Sequence, residues 1–223
     1  MFVHSESKND FFDPPSALQN AYRFSIMLTV CKTEVMLPKG IYTVGEAERL
    51  GVSRMQLAEL VKRGEIERLS RGVYATPGAG NVAMVEAIVL KKRASEFVVA
   101  LESALRIHDF TSATPHALWI AVPRGARAPS VDFPIEVVYA NASAYGKGVE
   151  VHEFNGVPVQ VYSAARTVAD LFKFRGRVGL DLAIESLKTG LSKKIFSVDE
   201  LMRYARLNRV ANVIRPYLEG YFG

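Results

Sequence analysis

The sequence contains a single cysteine, Cys31, among its 223 residues. One thiol can form neither an intramolecular disulfide nor a thiolate zinc site, and it has no partner for a redox pair. Cys31 also lies among apolar neighbours in the segment SIMLTVC. This pattern excludes a disulfide-stapled secreted domain, and we expect a protein of the reducing cytoplasm.

Long apolar runs are also lacking. No stretch approaches the roughly 20 apolar residues that a helix needs to cross a bilayer. The N-terminus MFVHSESKND has no apolar run behind a basic start, so it does not fit a secretory signal. We therefore expect neither secretion nor a membrane partner.

The excess of charge is small. Lysine and arginine number 28 against 23 acidic residues, which gives a formal net charge of +5 and a pI near 9.3. A basic chain is consistent with a polyanionic partner, because lysine and arginine that neutralise phosphates release counterions. With 49% hydrophobic and 23% charged residues, the composition is otherwise that of an ordinary globular protein. The placement of the charges must therefore decide their role.

Changes in composition divide the chain. Residues 1–15 mix polar residues with the proline pair of FFDPPS, which predicts a flexible tail. Apolar residues then recur every three or four positions from 16 to about 34, the spacing of an amphipathic helix. The stretch TPGAGN at 76–81 predicts a linker of small residues. We therefore predict a first domain at 16–78 and a second at 82–223.

Two helix starts lie close together in the segment YTVGEAERLGVSRMQ. Thr43 followed by Glu46, and Ser53 followed by Gln56, each fit the capping box in which two side chains satisfy free backbone N–H groups. Gly51 lies between the two starts. A short capped helix, a glycine turn and a second capped helix together predict a helix-turn-helix.

A basic hairpin follows the second of these helices. We expect that helix over 54–63, with Gly64 ending it. The segment EIERLSRGVYAT, residues 65–76, has two short runs around the turn Ser70-Arg71-Gly72. A hairpin directly after a helix-turn-helix predicts a wing, and hence a winged helix-turn-helix.

The polar face of this unit carries the candidate DNA contacts. Leucines of the second helix share a face and predict a core, while the other face carries donors suited to bases and phosphates. The first turn of a recognition helix usually reads base edges, and later cations hold the phosphate backbone. We expect DNA contacts from Ser53, Arg54, Met55, Gln56, Lys62, Arg63, Arg68, Ser70 and Arg71.

The second region combines strands and helices. ALWIAV and IEVVYA are apolar runs of strand length, and Asn155-Gly156 between two alternating runs predicts a type I′ hairpin. The segments SAARTVADLFKF, GLDLAIESLKTG, SVDELMRYARL and RVANVIRPYLEGYF then have helical periodicity. We predict an α+β fold, in which the winged helix precedes a mixed α/β domain with a small, partly antiparallel sheet and a helical C-terminus.

Catalytic motifs are weak by comparison. Asp132 and Glu136 lie close in sequence, as the paired carboxylates of many nucleases do, but no lysine follows Glu136 in IEVVYAN. The four histidines, His4, His108, His116 and His152, lack metal-ligand spacing, and no phosphate-binding loop is present. We expect no enzymatic activity, catalytic residue, metal or cofactor. A nucleic-acid-processing enzyme targeted by the winged helix remains the alternative, and a purely protein-docking winged helix is a third hypothesis.

The winged-helix segment and several segments of the second region resemble a known family. The stretch YTVGEAERLGVSRMQLAELVKRGEIERLSRGVYATPG is similar to the N-terminal winged helix of AbiEi antitoxins of type IV toxin–antitoxin systems, and GEIERLSRGVY is its most specific part. The segments ESALRIHDFTSATPHALWIAVPRGARAP, GVPVQVYSAARTVADLFKFRGRVGLDLAIESL and RVANVIRPYLE resemble the C-terminal domain of the same family. The resemblance implies a DNA-binding antitoxin that represses its own operon. It also implies that the C-terminal domain counteracts a co-encoded nucleotidyltransferase-like toxin without forming a stable complex.

Overall fold

The computed structural model describes residues 37–79, 84–93, 96–113 and 115–223. The predicted tail at 1–15 and the predicted helix at 16–34 lie outside the described residues, as does the end of the predicted linker. Residues Leu37–Gly223 cluster as one compact unit. Within the described ranges, no helix combines the length and the apolarity needed to cross a bilayer.

The first part of the described chain is a winged helix-turn-helix. Its elements are strand β1 (Ile41–Thr43), helices α1 (Val44–Arg49) and α2 (Arg54–Lys62), and strands β2 (Glu67–Ser70) and β3 (Val73–Ala75). The three strands pair antiparallel in the order β1-β3-β2. The two predicted helices and the wing are therefore confirmed, and the structure adds β1, which the sequence patterns did not indicate.

Local signals explain these elements. Thr43 and Ser53 cap α1 and α2. In each capping box both hydrogen bonds are formed: the cap side chain accepts from the backbone N–H three residues later, and the side chain of that residue accepts from the backbone N–H of the cap. Gly51 between the helices has a φ of 86°, a left-handed conformation that costs glycine little. Gly72, at the tip of the wing, has a φ of 78° for the same reason. Each predicted turn thus falls at a residue that tolerates its backbone conformation.

The second part is a mixed sheet with helices. In chain order its elements are α3 (Val85–Lys92), β4 (Val98–Val99), α4 (Leu101–Ile107), β5 (Leu118–Pro123), β6 (Ile135–Ala140), α5 (Ala142–Tyr145), β7 (Val149–Phe154), β8 (Val157–Tyr162), α6 (Ala164–Lys173), α7 (Arg175–Val178), α8 (Leu180–Ser192), α9 (Val198–Leu207) and α10 (Ala211–Phe222). The strand order is β6-β5-β4-β8-β7. Pairs β5–β6 and β4–β8 are parallel, whereas β4–β5 and β7–β8 are antiparallel. The predicted α+β fold class is confirmed.

The hairpin β7–β8 turns where the sequence predicts. Asn155 and Gly156 have φ angles of 51° and 73°. A type I′ turn requires positive φ at both central residues, which asparagine and glycine tolerate best. The side-chain amide of Asn155 also donates to the carbonyl of Ala79. The hairpin therefore contacts the segment that follows the wing.

Two apolar clusters cover opposite faces of the sheet. Along β5, Trp119 and Ala121 belong to one cluster, whereas Leu118, Ile120 and Val122 belong to the other, as expected because successive strand side chains point to opposite faces. The first cluster is filled by helices α4, α6, α8, α9 and α10. The second joins the sheet and α3 to residues of β1 and β3. The winged helix therefore shares a core with the sheet.

A buried ion pair lies within the helical side. Arg166 of α6 is 1% exposed, and its Nε lies 2.9 Å from Oδ2 of Asp170 one turn later. Nδ2 of Asn208 donates to the other oxygen of Asp170. The guanidinium also lies 4.8 Å from the ring centroid of Tyr162. This network joins α6 to the end of α9.

We predict that Asp170→Asn lowers the free energy of unfolding by about 3–5 kcal/mol, because the Arg166 charge would remain buried without its counterion. Urea denaturation of both proteins measures the difference. Glu200→Gln is the matched control, since it makes the same chemical change in a partly exposed pair with Arg203 at 3.9 Å, where a loss below about 1 kcal/mol is expected. Equal effects of the two substitutions would contradict the role given to the buried pair.

Candidate nucleic-acid interface

Helix α2 has one buried side and one exposed side. Leu57 and Leu60 are buried at 0% and 6% exposure, so the opposite side faces solvent. The backbone N–H of Ser53 donates to Oε1 of Gln56 at 2.8 Å, and the N–H of Gln56 donates back to Oγ of Ser53. Since this bond uses the amide oxygen of Gln56, the NH₂ group is the part that can donate to a base.

The exposed side of α2 carries the predicted donors. Arg54 and Lys62 are exposed, and Met55 is 81% exposed, an unusual position for an apolar side chain. Arg63 is also exposed, with its Nε 2.8 Å from Oε1 of Glu65. Both side chains of this pair are about half exposed, so the pair stabilises little. Arg63 can therefore exchange Glu65 for another anion at low cost in free energy.

The predicted contact residues of the wing differ in their exposure to solvent. Arg68 and Arg71 are exposed and can approach an anionic surface. Ser70 is only 5% exposed, and its hydroxyl donates to Oδ1 of Asp132 at 2.7 Å. The structure therefore places Ser70 in an internal contact, apart from the exposed arginines.

The contact of Ser70 belongs to a polar cluster, which we call the wing clamp: Ser70, Arg71, Arg93 and Asp132. Nη2 of Arg93 donates to Oγ of Ser70 at 2.5 Å and to the carbonyl of Arg71 at 3.2 Å. The backbone N–H of Arg71 donates to Oδ2 of Asp132. The Ser70 hydroxyl, followed by weaker contributions that include this N–H and Arg93, lowers the pKa of Asp132. The clamp ties the wing to the loop before β6.

A second polar contact ties α1 to α3. Nζ of Lys92 lies 2.6 Å from Oε1 of Glu46, while Oε2 of Glu46 accepts the backbone N–H of Thr43 at 2.7 Å. Burial of Glu46 acts to raise its pKa, but the bonds from Lys92 and Thr43 outweigh burial, and the pKa lies below its ordinary value. Glu46 therefore serves both as a helix cap and as an ion-pair partner.

The two carboxylates considered for a nuclease have different partners. Asp132 belongs to the wing clamp, whereas Oε2 of Glu136 lies 2.5 Å from Nη2 of Arg177. Arg177 also stacks over Trp119, 4.8 Å from the ring centroid. In the described ranges, neither carboxylate belongs to a group of three or more residues that could hold a metal. The geometry thus gives the paired-carboxylate alternative no support.

The histidines are arranged in a way that their spacing did not indicate. His116 lies apart from the others, 4.0 Å from Oε1 of Glu136. His108 and His152 approach each other, with ring centroids 5.5 Å apart. Burial, the largest cause, lowers the pKa of His108. Because these two histidines are distant in sequence, no local motif could have revealed their contact.

The element order and the exposed cations define a winged helix-turn-helix of the kind that regulators use. Residues 36–77 match the model of a family described as "Transcriptional regulator, AbiEi antitoxin". The predicted resemblance to AbiEi antitoxins is therefore confirmed over the winged helix. Among curated proteins, no match was found.

We predict that Glu46→Gln lowers the free energy of unfolding at neutral pH by about 0.5–1 kcal/mol, since glutamine keeps the cap but loses the charge facing Lys92. A carboxyl group whose pKa is lower in the folded state stabilises above its ordinary pKa, and this contribution is lost as pH falls through the lowered value. The difference between the proteins should therefore vanish in acid. Urea titrations at several pH values measure it.

Glu48→Gln is the control for this prediction, because Glu48 is exposed on the same helix. Its effect should be smaller than that of Glu46→Gln at neutral pH. A difference between wild type and Glu46→Gln that persists unchanged to low pH would contradict the electrostatic origin.

Proposed function

We propose that this protein is a DNA-binding autorepressor and the antitoxin of a type IV toxin–antitoxin system. The observation that carries the proposal is the coincidence of an AbiEi match with exposed cations on helix α2 and the wing, beside the partly exposed amide of Gln56. The proposed partner is double-stranded DNA of its own operator. The proposal includes no catalytic step and no cofactor.

The chemistry of the exposed side chains supports distinct roles in DNA binding. Arg54 and Gln56 lie in the first turn of α2, where side chains of a recognition helix reach base edges. Arginine pairs bidentately with guanine, and the NH₂ group of Gln56, whose amide oxygen accepts from Ser53, can donate to N7 of adenine. Met55 provides an apolar side chain for contact with a thymine methyl group. These residues are the proposed source of sequence preference.

The remaining cations suit the phosphate backbone. Lys62 and Arg63 lie at the far end of α2, and Arg68 and Arg71 lie on the wing. Phosphate contacts set the register of a protein on the duplex without reading its sequence. In this proposal Ser70 acts through the wing clamp, which holds the backbone of Arg71 in place, and Ser53 acts as the cap of the recognition helix.

The antitoxin activity is assigned to the α+β region, in keeping with its resemblance to the C-terminal domain of AbiEi antitoxins. We propose that it counteracts a co-encoded nucleotidyltransferase-like toxin without forming a stable complex. A reading frame of that kind beside this gene would support the assignment. Co-expression of the two proteins, scored by growth, tests it. If both wild type and the Arg54→Ala, Arg71→Ala double variant restored growth, antitoxin activity would not require DNA binding by these residues.

We predict that Arg54→Ala weakens binding to the upstream DNA by about 1–3 kcal/mol and relaxes the sequence preference at one position. Lys62→Ala should weaken binding to all sequences similarly and reduce the slope of log K against log salt by about one. Fluorescence anisotropy at several salt concentrations, with operator and scrambled duplexes, measures both effects.

Arg203→Ala is the charge-matched control, because Arg203 is exposed on α9 outside the winged helix. It should bind both duplexes like wild type. If wild type and the Arg54→Ala, Arg71→Ala double variant bound with the same weak and sequence-indifferent affinity, the specific-repressor proposal would fail. Absence of any salt-sensitive affinity would favour a protein-docking winged helix.

The enzymatic alternative makes a different prediction. A nuclease targeted by the winged helix would cleave DNA or RNA in the presence of a divalent metal, and Asp132→Asn or Glu136→Gln would abolish cleavage. An assay of wild type with Mg²⁺ and Mn²⁺ therefore separates the alternatives. Cleavage that both substitutions abolish would overturn the non-enzymatic proposal.

A further inference from the structure

We propose that His108, Glu150 and His152 form a binding site for a divalent transition-metal ion, with zinc as the best fit. One ligand atom from each of these residues lies within 4.8 Å of the others. They come from the end of helix α4 and from strand β7. The site is separate from helix α2 and from the wing, and nothing in the proposed DNA binding uses it.

The hydrogen bond of His108 prepares it for a metal. Its Nε2 lies 2.7 Å from the carbonyl oxygen of Tyr162, and because a carbonyl can only accept, Nε2 must carry the proton. The neutral ring then keeps the lone pair of Nδ1 for a cation. Metal-binding histidines commonly donate their other N–H to a carbonyl, which fixes the tautomer and the ring orientation.

The backbone around His108 is also fixed. Its N–H donates to the carbonyl of Ala104 at 3.0 Å, and the N–H of Phe110 donates to the carbonyl of Leu105 at 3.0 Å. Asp109 between them has a φ of 57°. This is the Schellman arrangement that ends a helix. His108 is therefore held at a defined position by backbone bonds that do not depend on a metal.

The other two residues share one face of β7. Glu150 and His152 are two positions apart on the strand, so their side chains point the same way. Nε2 of His152 lies 3.4 Å from Oε2 of Glu150. Two ligands of a tetrahedral zinc ion with bonds near 2.1 Å are separated by about 3.4 Å. The ring of His152 also stacks on Phe154, at 6.2 Å between centroids and 11° between planes, which limits its rotation.

The donor set determines the class of ion. Two imidazoles and one carboxylate suit zinc and its neighbours in the first transition series, whereas calcium and magnesium prefer oxygen ligands only. Three protein ligands leave at least one position for water. The side chains of Glu150 and His152 are 50% and 31% exposed, so an ion can enter from solvent. Bound there, it would tie the edge strand β7 to the end of α4.

The test is isothermal titration of untagged, chelator-treated full-length protein with zinc chloride. We expect one ion per chain, and a rise in melting temperature of about 5 °C or more at roughly a hundredfold excess of free zinc over Kd. His152→Ala and Glu150→Gln should each lower the affinity by about tenfold or more. Cobalt(II) in place of zinc should give visible absorption bands that both substitutions remove.

Two histidine substitutions serve as controls. His116→Ala removes an exposed histidine outside the cluster, and His4→Ala removes the histidine of the N-terminal segment. Both should bind zinc like wild type. The proposal is overturned if wild type binds no zinc, if His152→Ala and Glu150→Gln bind it unchanged, or if either control loses binding to the same extent. Because Glu150 and His152 are partly exposed, their substitution leaves the fold intact, which circular dichroism checks.

Discussion

The burial of one apolar face of the mixed sheet, by helix α3 together with β1 and β3 of the winged helix, is the constraint on which the arrangement of the described residues depends. Ile41, Val73 and Ala75, from β1 and β3, belong to the same cluster as Ile120 and Val159 of the sheet. Burying such side chains stabilises by about 25 cal/mol for each Å² removed from water. The wing therefore cannot change its position without exposing this surface, and polar contacts at the rim only fix the final register.

The polar contacts at this rim follow the same logic. The pair Glu46–Lys92 joins one residue of the winged helix to the α+β region, and the wing clamp joins two, Ser70 and Arg71. The charged partners of both contacts are partly exposed, so each ion pair contributes less than the apolar core. Their main effect is on orientation, because hydrogen bonds and ion pairs constrain angles that apolar packing leaves free. Together they set where Arg71 and the N-terminal turn of α2 lie relative to the sheet.

Sequence patterns predicted the features that depend on local interactions. The capping residues Thr43 and Ser53 placed two helix starts, and Asn155-Gly156 placed a hairpin, because each signal acts within four residues. Strand β1 was missed because three residues pairing with β3 carry no periodicity of their own. The engagement of Ser70 by Asp132 was missed for a related reason, since its partner is remote in sequence. Proximity of His108 to His152 likewise arises from tertiary structure alone.

The wing clamp has a consequence for communication across the molecule. Asp132 contacts both the side chain of Ser70 and the backbone of Arg71, so the position of the loop before β6 and the position of the wing are linked. Thermodynamic coupling between two sites is reciprocal. If the wing binds DNA as proposed, a molecule that displaced Asp132 would change the affinity of the wing for DNA by some factor. Engagement of the wing would then change the affinity for that molecule by the same factor.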